Sequence, residues 1–413
     1  MRIERTRLGL SRPEIPRGRE DEVRRLLDEV RADGDRAVRR LTERFDKAEL
    51  APDRLRVDPR ELEASLGVLE PGVLAALRTA ITNVRQVARA QARAHLSVEL
   101  EQGQVVEIVE FPVGRAAIYV PGGRAPYPST VVMGAVTART AGVDEIVVCA
   151  PPGPGGRAHP AILAACVLCE VTEVYRMGGA QAIGALAYGT ETVFPVEVIA
   201  GPGSVWVQEA KRQVAFEHVG IDGIAGPTEL AVIADGAGVD PEVIALDLLA
   251  QAEHGPESLL WLLSPDEALR EGAIAAVERL ASERPSVTDA RLEVCAADRE
   301  SALRMIEALA PEHLELVGEE AEQLAGRVRR AGCVFVGAGA ATAFGDYVAG
   351  SNHVLPTGGA ARFQSGLSPA TFRRRMARVS LPGEAPARLA PAGAALARAE
   401  GFPVHAESME RRA

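Results

Sequence analysis

From Gly114 onward the sequence alternates short, unbroken apolar runs with stretches of helical periodicity, and this alternation leaves few folds open. The runs are AAIYV, EIVVCA, EVYRM, VEVIA, ELAVIA, SLLWLL and CVFVGA. Each has strand length and none alternates polar with apolar residues, so both faces of each strand are expected to be buried. Strands of that kind, separated by helices, form parallel sheets wound with right-handed crossovers. An α/β architecture follows, with ligands where strands end and helices begin. At 413 residues the chain exceeds one ordinary core, so two or more domains are expected.

Ahead of this region, residues 18–46 read as two amphipathic helices broken at Gly34, and residues 59–94 as two more separated by Pro71-Gly72. Residues 98–110 switch to shorter β-rich pieces around Gly103, the pattern of a hairpin. The last 45 residues hold FRRRMARVSL, a Pro- and Ala-rich helix and a polar tail. They are too short to bury a core alone, so they are expected to dock elsewhere on the protein or on a second subunit.

A formal net charge of −11 argues against nucleic acid as a partner, since phosphate backbones call for clustered Lys and Arg. No apolar run reaches the roughly 18 residues of a membrane span. The first residues, MRIERTRLGLSRPEIPRGRE, hold no apolar run of signal-peptide length either. Five cysteines, an odd number, point to a reducing compartment, so a cytoplasmic location is expected. Cys166 and Cys169 form a CxxC, but they lie inside the apolar helical run AILAACVLCEV and read as small buried hydrophobes.

Candidate chemistry gathers in a few stretches. In VDPEVIALDLLAQAEHGPES, Asp240 can cap a helix, Pro241 suits its first turn and Gly255-Pro256 ends it. Asp247, Gln251 and His254 recur along one stripe, so an amide oxygen and an imidazole nitrogen point the same way. These two are half of a zinc shell, if two more ligands arrive from elsewhere; the alternative is a solvated polar face. Of seven histidines, His313 follows Glu312 where a helix gives way to a strand, a pairing suited to general-base work. His353 lies seven residues after Asp346, and His405 sits in the C-terminal EGFPVHAES. Three glycine turns follow strands: IYVPGGRAPYPST, RMGGAQAIGALAYGT and IAGPGSVWVQEAKRQV. Each would let backbone amides approach an anionic or polar ligand. None is a GxGxxG fingerprint; the nearest, VFVGAGAAT at 334–342, reads as leading into another glycine-rich loop.

Taken together, GRAAIYVPGGRAPYPST, GGAQAIGALAYGTE, AGPGSVWVQEAKRQV, AGPTELAVIAD, LLAQAEHGPES, APEHLEL and GDYVAGSNHVLPTGG occur in the order and spacing found in histidinol dehydrogenases. The resemblance covers essentially the whole chain. It implies two Rossmann-like parallel-sheet domains, similar to aldehyde dehydrogenases, with small N- and C-terminal helical extensions. The implied boundaries are an N-terminal helical extension over 1–24, a zinc and catalytic α/β domain over 25–113 plus 229–362, an NAD-binding domain over 114–228, and a tail over 363–413 docking on the partner subunit.

The resemblance also implies roles. Gln251, His254 and Asp346 match zinc ligands, and His405 matches a fourth that comes from the partner subunit of a homodimer, with one zinc per subunit. Glu312 and His313 match the catalytic pair. Tyr119 and Gln181 match NAD contacts, and Ser204 stands where the family usually has Asn. Thr228 replaces a Ser in the substrate site and keeps its hydroxyl, while Glu400 matches a substrate contact in the tail. With the metal ligands and His313, these would hold L-histidinol for oxidation to L-histidine via the aldehyde. The residue types suit that chemistry: His313 as base for the hydroxyl proton, Glu312 to activate water, zinc to hold the substrate's nitrogens. His353, close in sequence to Asp346, is a candidate either for supporting that ligand from behind or for touching the substrate. Two alternatives stay open on the residues alone, a related zinc and NAD dehydrogenase of another amino alcohol and a non-catalytic zinc-binding α/β protein.

Overall fold

The computed structural model describes residues 1–6, 12, 18–92, 96–122 and 125–413. His95, Gly123 and Arg124 of the first glycine turn, and most of residues 7–17 lie outside the described residues.

The chain opens with a strand, β1 (Arg2–Thr6), where a helical extension over 1–24 was the expectation. It pairs parallel with a strand near residue 293 and forms one edge of a sheet. RIERT has no apolar run, but an edge strand is held by main-chain hydrogen bonds and can leave its charged side chains in water. Next comes α1 (Glu20–Asp46), bent at Gly34, whose φ of 54° is left-handed. Then follow α2 (Pro59–Ala64), capped by the Asp58 side chain, and α3 (Pro71–Gln91). Pro stands in the first turn of both α2 and α3, where its missing N–H costs nothing. A hairpin of β2 (Leu96–Glu99) and β3 (Val105–Pro112) turns at the expected Gly103.

The first parallel unit runs β4 (Arg115–Tyr119), α4 (Pro128–Val131), α5 (Thr137–Ala141), β5 (Glu145–Ala150), α6 (Pro160–Leu168), β6 (Glu173–Arg176), α7 (Gly179–Tyr188), β7 (Val198–Ala200), α8 (Val205–Val214) and β8 (Gly220–Ile221). Its strands form a five-stranded parallel sheet in the order β6-β5-β4-β7-β8. The second unit runs β9 (Glu229–Ala234), α9 (Pro241–Ala252), β10 (Leu259–Ser264), α10 (Glu267–Ser282), β11 (Arg291–Ala296), α11 (Arg299–Leu309), β12 (His313–Val317), α12 (Glu319–Glu322), β13 (Cys333–Val336) and α13 (Thr342–Tyr347). With β1 these strands form a six-stranded parallel sheet in the order β1-β11-β10-β9-β12-β13. The tail adds β14 (Arg373–Ser380), α14 (Ala385–Ala399) and α15 (Pro403–Glu410). β14 pairs antiparallel with β3, so a third sheet, β14-β3-β2, ties the tail to the early hairpin.

Each parallel sheet is buried on both faces, as the unbroken apolar runs require. On the five-stranded sheet, one face packs Ile118, Val148 and Val174 against α2, α3 and α6. The other packs Ala117, Val147 and Ile199 against α1, α7 and α8. The helices of residues 20–91 therefore cover the sheet of residues 114–228, whereas the resemblance groups residues 25–113 with residues 229–362. An amphipathic stripe states that a helix has an apolar face, not which sheet it meets, and the five-stranded sheet cannot bury both faces with its own crossover helices alone. Cys166 and Cys169 sit in this core, 0% and 4% exposed, as small hydrophobes. All five cysteines are unpaired. No single helix among the described residues is long and apolar enough to cross a membrane.

Candidate active site and metal centre

The C-terminal ends of β4 and β7 in the five-stranded sheet, the N-terminal ends of β9 and β12 in the six-stranded sheet, and the loops around residues 251–257 and 346–357 enclose a cleft of about 1010 Å³. Thr228, Gln251, His254, Glu312, His313, Asp346 and His353 all line it. Three of the elements around it supply most of the donors: α9 carries Gln251 and leads into His254, β12 starts at His313, and α13 carries Asp346. The turn after VFVGAGAAT is thus a short helix, not a further loop. Asp240 caps α9 by accepting from the Glu242 N–H, and Pro241 stands in its first turn, as the sequence requires.

His313 is 3% exposed, and its Nδ1 lies 3.0 Å from the Glu229 carbonyl oxygen. A carbonyl only accepts, so Nδ1 carries the hydrogen and Nε2 the lone pair; Gln251 Nε2, 3.1 Å from the same Nδ1, then meets another donor there and gives its hydrogen to Thr228 instead. The ring's Nε2 is buried, has no hydrogen-bond partner among the described residues, and lies 3.8 Å from Asp346 Oδ1. Burial lowers the His313 pKa, against the opposing pull of Asp346 and Glu229. The ring is therefore neutral at rest, with an idle base at the cleft wall.

Glu312, the residue before it, is buried too. Its Oε2 accepts from the Thr228 hydroxyl at 2.7 Å and from the Glu229 N–H at 3.0 Å. Burial pushes this carboxyl well above the usual range, and those two donors only partly offset it. A carboxyl so placed holds its proton to higher pH than an ordinary surface glutamate does. Thr228 is itself fixed, because Gln251 Nε2 donates to its oxygen at 3.0 Å. With its amide nitrogen turned inward, Gln251 keeps the carbonyl oxygen as its lone-pair donor.

Glu229 was not singled out by sequence reasoning, yet it underlies the whole arrangement. It is 1% exposed and receives a forked pair of hydrogen bonds from Arg12, at 2.6 and 2.9 Å. Its carboxylate also accepts from the Gly358 N–H at 3.2 Å and from the Glu312 N–H at 3.3 Å. The signal was a carboxylate opening the buried run ELAVIA, where an acid is kept only if it is paired.

The metal-ligand candidates divide. Gln251, His254 and Asp346 share the cleft, and burial lowers the His254 pKa against the charge of Asp346. A neutral imidazole, an amide oxygen and a carboxylate are a chemically suitable set for zinc, one ligand short of a tetrahedron. Among the described residues no three His, Cys, Asp or Glu side chains gather closely enough to hold a metal ion, so a site here needs the Gln251 amide oxygen and a further ligand. His405 and Glu400 are exposed on the tail and do not line the cleft of their own chain.

Of the two expectations for His353, the structure supplies the one in which it supports Asp346 from behind. Its Nδ1 donates to the Asp346 carbonyl oxygen at 2.8 Å and its Nε2 meets the Thr130 hydroxyl at 3.3 Å. Both nitrogens are engaged within the protein, so the ring props up the backbone of Asp346.

The three residues matched to NAD also divide. Ser204 is exposed at the N-cap of α8, makes no capping bond and lines the cleft. Tyr119 is buried beneath the glycine turns, its hydroxyl accepting from the Gly179 N–H at 3.0 Å. Gln181 is 1% exposed, and neither of its amide atoms has a hydrogen-bond partner among the described residues. The third turn is clamped: Asp222 accepts from the Gly201 N–H at 2.7 Å, while buried Lys211 bonds both Asp222 and the Gly201 carbonyl. Gly201 has φ 125°, and a Cβ there would lie 2.1 Å from the Tyr119 carbonyl oxygen, so only glycine fits.

Comparison with known proteins gives consistent matches. A family model described as histidinol dehydrogenase matches residues 13–413. A histidinol dehydrogenase from Gluconobacter oxydans is 43% identical over 94% of this chain and 92% of its own length. One from Cereibacter sphaeroides is 44% identical over 98% and 94%. The crystal structure of histidinol dehydrogenase from Elizabethkingia anophelis superposes with a TM-score of 0.93 at 31% identity, covering 100% of this chain and 98% of that one.

Proposed function

The chain belongs to the histidinol dehydrogenase family, and on that premise we propose that its cleft oxidises L-histidinol to L-histidine in two NAD-dependent steps, in a homodimer with one zinc per subunit. The observation that carries this reading is the pair of buried proton handlers side by side. His313 offers a free lone pair on Nε2, and Glu312 has a raised pKa. An alcohol-to-acid oxidation needs both: a base for the hydroxyl proton, and a carboxylate to deprotonate water when it adds to the aldehyde.

Bound NAD would supply the two-electron acceptor for each oxidation, and bound zinc would anchor the substrate's imidazole and amino nitrogens. The residues here do the rest. His313 Nε2 removes the hydroxyl proton from the alcohol and later from the hydrated aldehyde, with Nδ1 held by Glu229. Glu312, ionised, takes a proton from the attacking water, and the Thr228 hydroxyl steadies its carboxylate. Gln251, His254 and Asp346 would hold the metal from one chain and His405 from its partner, where Glu400 would also reach the substrate.

The tail's surface supports exchange between subunits. α14 and α15 pack mainly on each other around Ala394, Ala397 and Ala406, leaving Leu396, Phe402 and Val404 exposed at 66%, 53% and 72%. Such a cluster is too small to stand alone and has apolar surface to cover. NAD at the glycine turns is supported by the unpartnered amide of Gln181 and by Ser204 at the open N-terminus of α8. The five free thiols suit the reducing, cytoplasmic setting we propose.

Substrate choice tests the reading. Steady-state rates with L-histidinol should exceed those with simple amino alcohols, because only the former fills the place of an imidazole ligand. Equal kcat/KM values across the series would refute histidinol as the substrate.

A further inference from the structure

The catalytic pair sits where two neighbouring strands begin. Glu229 opens β9, His313 opens β12, and the parallel register sets His313 beside Leu230, so Glu229 and Glu312 stand side by side one step earlier. They exchange main-chain to side-chain bonds. The Glu229 N–H reaches Glu312 Oε2 at 3.0 Å, and the Glu312 N–H reaches Glu229 Oε2 at 3.3 Å. The Glu229 carbonyl oxygen also accepts from His313 Nδ1 at 3.0 Å. One residue thus orients both members of the pair, His313 through its carbonyl and Glu312 through its N–H.

Two carboxyl groups are therefore buried together, 1% and 7% exposed, an arrangement that calls for a cation. Among the described residues, Arg12 is the only Lys or Arg side chain bonded to either of them. Its Nε and one terminal nitrogen take the two oxygens of Glu229 at 2.6 and 2.9 Å. The same terminal nitrogen donates to the Leu309 carbonyl at 3.1 Å, in the last turn of α11, where carbonyls have no partner within the helix. Only Ala310 and Pro311 separate that turn from Glu312. A planar fork can grip both carboxylate oxygens at once. Neither Arg12 nor Glu229 lines the cleft, so both act through other residues.

We propose that Arg12 is a positioning residue for the oxidation: it clasps the start of β9 to the end of α11, and so fixes Glu229, through which Glu312 and His313 are aimed into the cleft. The N-terminal segment thereby sets the rate of a reaction it does not touch. The inference rests on the reading of Glu312 and His313 as proton handlers, and one arm of its test stands apart from that reading.

The test uses the full-length protein with zinc and NAD supplied, comparing Arg12→Ala and Arg12→Lys with the parent well below their thermal midpoints. Arg12→Ala is expected to lower kcat by about 10–100-fold. KM for L-histidinol and NAD and the zinc content should change little, because the residue acts on aim and not on binding. The Arg12 side chain is 21% exposed, so its place opens to solvent. Guanidinium ion at a non-denaturing concentration should return part of the lost kcat to Arg12→Ala and add nothing to the parent. Arg12→Lys keeps the charge but cannot fork, so its kcat should fall by a smaller factor; it decides the matter if the Ala variant does not fold. A bond that only stabilises would lower the thermal midpoint and leave kcat alone. Parental kcat in Arg12→Ala, or in Arg12→Lys where only that variant folds, would overturn the proposal. So would a loss confined to KM, or a loss in Arg12→Ala that guanidinium leaves untouched. If the parent does not oxidise L-histidinol, the functional reading fails instead, and the His313 ring decides the contact. Ring-nitrogen signals of protein made with isotope-labelled histidine, assigned by their absence in His313→Asn, should show Nδ1 carrying the hydrogen in the parent and a mixture of tautomers in Arg12→Ala. The same single tautomer in both would then overturn the proposal.

Discussion

His313→Asn is expected to lower kcat by about 10²–10⁴-fold while the zinc content of the purified protein stays at the parental level. The substitution separates the two jobs of the ring. Asn can still donate an N–H to the Glu229 carbonyl, where Nδ1 now lies at 3.0 Å. It has no basic nitrogen to replace Nε2, the buried atom left without a hydrogen-bond partner among the described residues. Binding should change little and proton removal a great deal, so the loss belongs in kcat more than in KM. Glu312→Gln is expected to fall by a similar factor for a different reason. Its amide can keep the bonds from Thr228 and the Glu229 N–H but cannot take a proton from water. The pH profile distinguishes them further. Glu312 must be ionised to act, and burial raises its pKa, so the rate of the parent should climb as pH rises through that raised value. The Gln variant should lose this limb. Initial rates of NADH formation, with elemental analysis of zinc, check both. Undiminished turnover in either variant would remove it from the mechanism.

A mixture of two inactive chains should become active. His405→Asn has a sound cleft and a defective tail; His313→Asn has a defective cleft and a sound tail. If the tail serves the partner, a hybrid dimer contains one site in which both are sound. Random assortment then returns roughly a quarter of parental activity, since about half the dimers are hybrids with one working site in two. If each tail serves its own cleft, every site in the hybrid lacks one group and nothing returns. The expectation rests on two observations: His405 and Glu400 are exposed and outside their own cleft, and the tail's apolar residues are uncovered. Co-expression with two affinity tags isolates the hybrids. His254→Asn and Asp346→Asn, made alongside, should purify with sub-stoichiometric zinc.

The parallel sheets were legible because strands buried on both faces have to be apolar throughout. The strands without that mark were not. RIERT became β1 through main-chain bonds at an edge. β11 hides behind Glu293, which interrupts RLEVCA yet is 3% exposed. Side-chain roles followed the same division. Glu312 and His313 could be named because an acid beside a histidine at the start of a strand is conspicuous. Their partner Glu229 could not, since only folding brings Arg12 across 217 residues to meet it. The sequence shows which residues share a helix face; what that face meets depends on contacts between distant segments.

The central claim is that this cleft carries out both oxidations and needs its metal to do so. Counting NADH formed per L-histidinol consumed, before and after stripping with a chelator, tests it directly. Two equivalents that vanish on stripping and return with added zinc are the expected result. A single equivalent, or two that survive complete removal of the metal, would contradict it.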